Sequence, residues 1–379
     1  MDMQMNQKQP AVKRESKNRI RVDFDRTPLK DRLKAKFFNS YFVTKLIIWI
    51  FRLVLMVGIS YIVLYPFFTK IAGSFMSPED LVDVTVRLIP KNFTLDIYRA
   101  IIAELGYWKA FGNTFTLSFS CAIVQTFICC LIGYGFAKFK FKGRNLIFML
   151  VMLTMIIPHQ TLQLSMYMEF RYFDILGIIR FFKGGGIQVL GLNVKDIGPG
   201  VAAFFEKINI LPDHIGKLEV TSGGINLLNT YFPLVLLSFG GLAFKNGLYI
   251  FLLRQFFRGM PDELEESAYM DGCGPFRTFL QIILPNSIPM LVTVFLFAFC
   301  WQWTDDYYTG LFFSSLNTKL LVKIVAVPPS LSTSYAGTEL YNTAIRNTCG
   351  MMIIFPLVIL YAFCQNFLVQ GIEHSGIAN

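Results

Sequence analysis

PDELEESAYMDGCGPFRTFLQIILPNSIP, residues 261–289, is the one long stretch of this chain that is densely acidic, helix-forming and flanked by apolar runs of membrane length. Pro261 suits a first helical position, and Asp262, Glu263, Glu265 and Glu266 crowd the positive end of a helix dipole. The pattern predicts a helix to about Asp271, stopped by Gly272, which takes the left-handed conformation that a helix end needs. Gly274-Pro275 opens a second short helix over 276–283, which Pro285 ends or kinks. Two short helices meeting at a glycine corner make a knob between two membrane spans.

The remainder of the chain reads as membrane. Of 379 residues, 54% are hydrophobic and 39 are Phe, too apolar a composition for a soluble chain of this length. Apolar blocks of about 20 residues, enough to cross a hydrocarbon core, predict six spans over 46–71, 113–137, 146–168, 228–252, 287–313 and 348–367. The expected fold class is therefore all-α integral membrane, with six transmembrane helices. A basic tail over 1–45 and the cluster Lys138, Lys140, Lys142 and Arg144 after the second span mark the cytoplasmic side. Both termini, the tail over 371–379 and the knob then lie inside a multi-pass plasma-membrane protein. Within the first tail, Leu29, Leu33, Phe37 and Phe38 among basic residues fit an amphipathic helix on the lipid surface, or equally a solvated tail. No signal-peptide pattern opens the chain. The segments 73–112, 169–227 and 314–347 fall outside, and the middle one holds an extracellular insertion, 179–224, rich in glycine. At that length it is either a small ordered subdomain or a mobile loop.

The net charge of +10 does not imply nucleic acid, because no soluble basic domain accompanies it. The seven cysteines fall in spans or in the knob, so no disulfide framework is expected. His159, His214 and His374 are isolated, without the spacing of a metal site. The chain has no Gly-x-x-x-x-Gly-Lys-Ser/Thr loop for ATP and no nucleophile elbow. Catalysis is not expected. Candidates for a solute path are polar groups inside apolar runs: His159, Gln160 and Gln163 beside Pro158, Lys245 and Asn246 in the fourth span, and Trp301 and Asp305 in the fifth. Bonding between helices explains the first groups as simply, and an interfacial aromatic belt explains the tryptophan.

At the knob, Glu266-Ser267-Ala268-x-x-Asp271-Gly272-Cys273, followed by Phe279 and Leu284-Pro285, resembles the "EAA" coupling loop of ABC importer permeases, with Ser and Cys in place of two alanines. SFMSP at 74–78, WKAFGNT at 108–114, GYGFAKFKFKGR at 133–144, IFLLRQFF at 250–257 and WQWTD at 301–305 are similar to the carbohydrate, maltose-permease-like branch. The resemblance spans most of 70–370 and departs from the family at 179–224. It implies the type I importer permease fold, with a first transmembrane helix at 46–72 and the transmembrane domain over 108–370. It also implies a permease subunit, in a bacterial plasma membrane, that imports a sugar or oligosaccharide. Glu266, Ser267, Ala268, Asp271 and Gly272 would couple it to a separate cytoplasmic ATPase dimer. Glu266 would orient in the ATPase cleft, Ala268 allow insertion and Gly272 make the corner. ATP and Mg would be held by that partner, with no cofactor in this chain. A second permease, an extracellular solute-binding protein and membrane lipid complete the implied partners. An importer of another solute, or an ion-coupled secondary carrier, is the alternative.

Overall fold

The computed structural model describes residues 40–174, 188–189, 192–193, 219–221, 224–243, 245–314, 319–332 and 337–376. Residues 1–39 of the basic tail, its expected amphipathic helix among them, and most of 179–224 lie outside the described residues. The chain divides into two compact units, 1–67 and 68–379. Helix α1, Ser40–Gly73, supplies the described part of the first unit and runs into the second. Its segment Thr44–Gly73 is long and apolar enough to cross a membrane, and its apolar side chains are exposed, as lipid requires.

The second unit is helical throughout its larger elements. α2 (Pro78–Val82) and α3 (Asp96–Glu104) precede α4 (Tyr107–Lys138), the longest helix of the central group. α5 (Arg144–Ile156) and α6 (Gln163–Arg171) follow; the chain bends by 92° at Ile157-Pro158, and a 3-10 turn at His159–Leu162 opens the second arm. Short antiparallel hairpins β1–β2 (Gln188–Val189, Leu192–Asn193) and β3–β4 (Glu219–Thr221, Gly224–Asn226) mark the insertion. Phe173 and Ile225 exchange two backbone bonds of 3.0 Å, which fasten β4 to the end of α6. Next come α7 (Phe232–Phe239), α8 (Asn246–Gly259) and α9 (Glu263–Met270). The run α10 (Pro275–Thr278), a π turn (Phe279–Ile283) and α11 (Leu284–Asn286) leads to α12 (Ile288–Trp303) at a 77° bend. α13 (Tyr307–Phe312) and α14 (Thr338–Gly376) complete the order.

α4 is the hub because its sequence has two different faces. Thr114, Leu117, Ser118, Cys121, Ala122, Gln125, Cys129 and Gly133, mostly small, recur at helical spacing and are buried against α7, α8 and α12. Phe115, Phe119, Ile123 and Phe127 project from another side and are partly exposed. With lipid as apolar as the side chains, helices associate through close packing of small residues rather than hydrophobic burial. Gly133 is the tightest such point: a Cβ there would stand 2.8 Å from Leu253 Cβ and 3.2 Å from the Arg254 nitrogen. Along the α12 side, edge-to-face pairs Phe111–Trp303, Phe115–Phe299 and Phe119–Phe295 repeat at 5.4, 6.0 and 5.8 Å. Trp303 Nε1 donates to Ile353 O, and Thr293 Oγ1 to Phe367 O, so α14 is bonded to α12 at two levels.

Several expectations are corrected. The fourth expected span, 228–252, is not one helix: it ends at Gly240, turns through Gly241 (φ +70°) and restarts beyond Lys245 (φ +69°). Among the described residues, three helices are long and apolar enough to span, and two bent pairs bring the number to five. The fifth expected span stops at Trp303, and 307–312 forms the separate α13. The last helix continues to Gly376, so the tail expected from 371 is largely helical; Gly371 lets it lie close against Thr293.

Gly133→Leu should force α4 from α8 and cost about 1–3 kcal/mol, lowering the unfolding temperature of the purified protein in detergent. Gly135→Leu is the control, since nothing lies within 4 Å of a Cβ there. Equal melting of the two variants would refute the close-packing account.

Candidate functional site

The helix of the acidic knob begins two residues later than its sequence suggests. Pro261 stands outside the helix, and Asp262 is the cap residue, its carbonyl accepting from the Glu265 and Glu266 N–H groups at 3.0 Å each. The Asp262 carboxylate makes no cap bond, because Lys138 takes it: Nζ donates to Oδ1 at 2.5 Å. The same ammonium donates to the Met260 carbonyl at 3.0 Å and lies 3.7 Å from Glu265 Oε1. Lys138 is the last residue of α4 and its side chain is 8% exposed. A nearly buried cation thus staples the foot of α4 to the start of α9.

The other end of α9 closes as predicted. Gly272 has φ +78°, its N–H bonds Tyr269 O at 3.0 Å, and Cys273 N–H bonds Ala268 O at 2.9 Å. These paired bonds satisfy the last carbonyls and fix the corner. Beyond it, Phe279 packs on Tyr134 at 4.8 Å, and Tyr134 on Phe257 at 5.5 Å, rooting the knob in the bundle. Pro285 neither ends nor kinks the helix. The π turn ahead of it absorbs the missing donor, and the bend falls at Ser287, before Pro289. Side chains bond the carbonyls of the turn before the bend: Asn286 Nδ2 donates to Ile282 O and Ser287 Oγ to Ile283 O.

Glu266, Ser267, Asp271 and Gly272 are exposed on this knob, whereas Ala268 is 3% exposed and turned into the chain. Its small side chain therefore lets α9 sit close to its own bundle. The outward surface is made instead by Glu266, Met270 (87% exposed) and Phe276, with Tyr269 beside them. Sequence inspection missed Lys138 and Glu265 as a pair. They lie far apart in the chain, and the lysine reads as one of a cytoplasmic cluster.

A second feature lies where two helices break. Pro158 interrupts α5–α6, and Gly241 to Lys245 separate α7 from α8; between them is a cavity of about 600 Å³. His159, Gln160, Lys245 and Asn246 line it, with Ser165 and Glu169. Trp301 joins through Lys245, whose Nζ stands 5.0 Å from the ring centroid. Gln163 and Asp305 are not part of the lining. Asp305 instead caps α13, accepting from Thr309 N at 2.9 Å and Tyr308 N at 3.3 Å. That cap aims two tyrosines at the break: Tyr308 Oη lies 2.9 Å from His159 Nδ1, and Tyr307 Oη donates to His159 O at 3.1 Å. Asn246 is 1% exposed, and neither atom of its amide group has a hydrogen-bond partner. Among the described residues no cluster of His, Cys, Asp or Glu is placed to hold a metal.

Residues 130–373 match the family described as the binding-protein-dependent transport system inner membrane component. The chain is similar to the arabinooligosaccharides transport system permease protein AraQ of Halalkalibacterium halodurans, 25% identical over 322 residues that cover 84% of this chain and 92% of that protein. It is similar also to the alpha-glucoside transport system permease protein AglG of Rhizobium meliloti, 28% identical over 283 residues, 75% of this chain and 60% of that one. Among solved structures it shares its fold with a bacterial ABC transporter involved in the import of the acidic polysaccharide alginate. The TM-score is 0.57 at 18% identity, covering 85% of this chain and 97% of that chain. A match that takes in the knob and both helix breaks settles the family: the chain belongs to the inner membrane components of binding-protein-dependent transport systems, a membrane-embedded ABC importer permease and not an enzyme.

Proposed function

We propose that this permease imports a sugar or oligosaccharide, driven by a separate cytoplasmic ATPase that seizes the knob at 261–289. The observation that carries the proposal is the knob itself: a rigid helical corner, exposed on one side and stapled to α4 and α12 on the other. A secondary carrier has no use for such an element. The substrate class is supported by the names of the similar permeases, which transport arabinooligosaccharides and alpha-glucosides.

The arrangement suggests six spans, the broken pair α7–α8 completing the three long helices and the two bent pairs. With the basic cluster at 138–144 inside, both termini and the knob are cytoplasmic, and the segment 179–224 is an extracellular insertion that offers itself to a solute-binding protein. A second permease would face this one, and two ATPase copies would engage the two knobs. In this scheme Glu266 and Asp271 orient the ATPase cleft, Met270 and Phe276 fill it, and Gly272 keeps the corner. Closure of the ATPase dimer shifts the knob. Lys138 and the Ser287 bend pass the shift to α4 and α12, which alternate between inward-open and outward-open arrangements. His159, Gln160, Lys245 and Asn246 would meet the solute, with Trp301 behind the lysine.

Glu266→Lys and Gly272→Pro should each lower sugar uptake into vesicles by about tenfold or more while ATP hydrolysis by the assembled complex persists. Uptake equal to the unaltered protein in both would sink the coupling role. The Lys138 staple carries its own test. Its bond to Asp262 holds that carboxyl below the ordinary value of 3.8. A depressed folded value means that the stabilisation is complete above the ordinary carboxylate range and is lost as pH falls through the lowered one. Amide exchange over 262–272 should therefore quicken in acid beyond its intrinsic pH dependence. Lys138→Gln should give the fast exchange at neutral pH already; identical profiles would remove the staple from the scheme.

A further inference from the structure

The cavity between the two helix breaks has an electrical character that transport of an unspecified sugar leaves unexplained. α8 begins at Asn246, runs for 14 residues and has no acidic residue in its first turn. The partial positive charge of its N-terminus is therefore not offset within its own helix. Lys245, the residue just before it, makes no side-chain cap and adds a full positive charge at the same edge of the cavity. Asn246 lines the cavity, and its buried amide has no hydrogen-bond partner within the protein, so a polar group that reached it, water or ligand, would satisfy it. His159 lies in the same lining, held by Tyr308. Glu169, in the last turn of α6, is the carboxylate of the lining and is exposed. Broken helices that present an N-terminus inside a membrane protein suit anionic groups of a solute.

We infer that this cavity is a subsite for the carboxylate of an acidic sugar, a uronate unit seated between the Lys245 ammonium and the Asn246 end of α8. At about 600 Å³ the space has the size of an ordinary small-molecule site. The Trp301 ring holds the lysine in place. Asn246, able to donate and accept, would take ring hydroxyls of the same unit. This rests on the importer reading and names the substrate class within it.

The test uses the assembled importer, two permeases with the ATPase dimer, in phosphatidylcholine nanodiscs without binding protein. Equilibrium binding of digalacturonate is compared with that of its neutral dimethyl ester. The unaltered complex should prefer the acid by about tenfold, the size of one well-placed charge-assisted bond. Lys245→Gln should abolish the preference, Lys245→Arg should keep it, and Asn246→Leu should weaken binding of the acid. Equal binding of the two probes, or a preference untouched by Lys245→Gln, overturns the subsite. So does a preference that disappears when phosphatidylglycerol is added, because the seat then belongs to an anionic lipid headgroup. Uptake of neutral oligosaccharide by the same reconstituted complex is scored separately: import without acid preference retains the transport function and discards the uronate.

Discussion

A backbone carbonyl released inside hydrocarbon has no water to accept from, so a membrane helix breaks only where some other group takes over. Three breaks organise this chain, and additional hydrogen bonds gather at each. At Ser287, side-chain donors from Asn286 and Ser287 bond the Ile282 and Ile283 carbonyls. At Pro158, Tyr307 reaches across to the His159 carbonyl. At 240–245, the Gly240 N–H returns to Leu236 O and Leu242 N–H to Leu237 O, closing one helix before the next begins. The breaks are not defects in simple rods. They create the cavity and the hinge that a transporter needs.

Against these breaks stands α4, which is unbroken and carries the packing. Its small-residue face admits α8 to within contact of Gly133, and its terminal lysine meets the knob. The placement of that lysine is economical in charge. One ammonium with little access to water is matched by a backbone carbonyl and by two carboxylates, one of them also shielded and the other open to solvent. Removing the lysine would leave the shielded Glu265 carboxylate without its counter-charge, the costly outcome for such groups. The acidic crowd at the start of α9 therefore has two tasks: some carboxylates face outward, while Glu265 faces Lys138.

Much of this was legible in the sequence. Length and apolarity located the helices, and the glycine at 272 announced its corner, because few other residues accept its backbone conformation. Lys245-Asn246-Gly247 was visible as an interruption, yet its consequence was not: periodicity counts apolar residues and cannot see a helix stop and restart around two left-handed residues. Pro285 misled for a related reason. A lone proline predicts a kink, but a π turn can accommodate it and move the bend to Ser287. Ala268 looked like a surface of approach for a partner, and its burial shows that a small residue serves whichever neighbour is nearer. Lys138 with Glu265, and Asp305 with its tyrosines, depend on tertiary proximity that no local pattern encodes.

The bend at Ser287 has a mechanical meaning. The arm below it, Pro275–Asn286, is about 18 Å long, and the arm above it, α12 with 16 residues, is about 24 Å. Set at 77° to one another, they form a bell crank. A thrust along the short arm becomes a sideways sweep of the long one, slightly magnified by the ratio of lengths. Straight rods would turn the same thrust into a piston stroke across the bilayer, dragging polar loops into lipid. In the proposed coupling cycle the crank would spend the stroke within the plane of the membrane, where helices can part and rejoin.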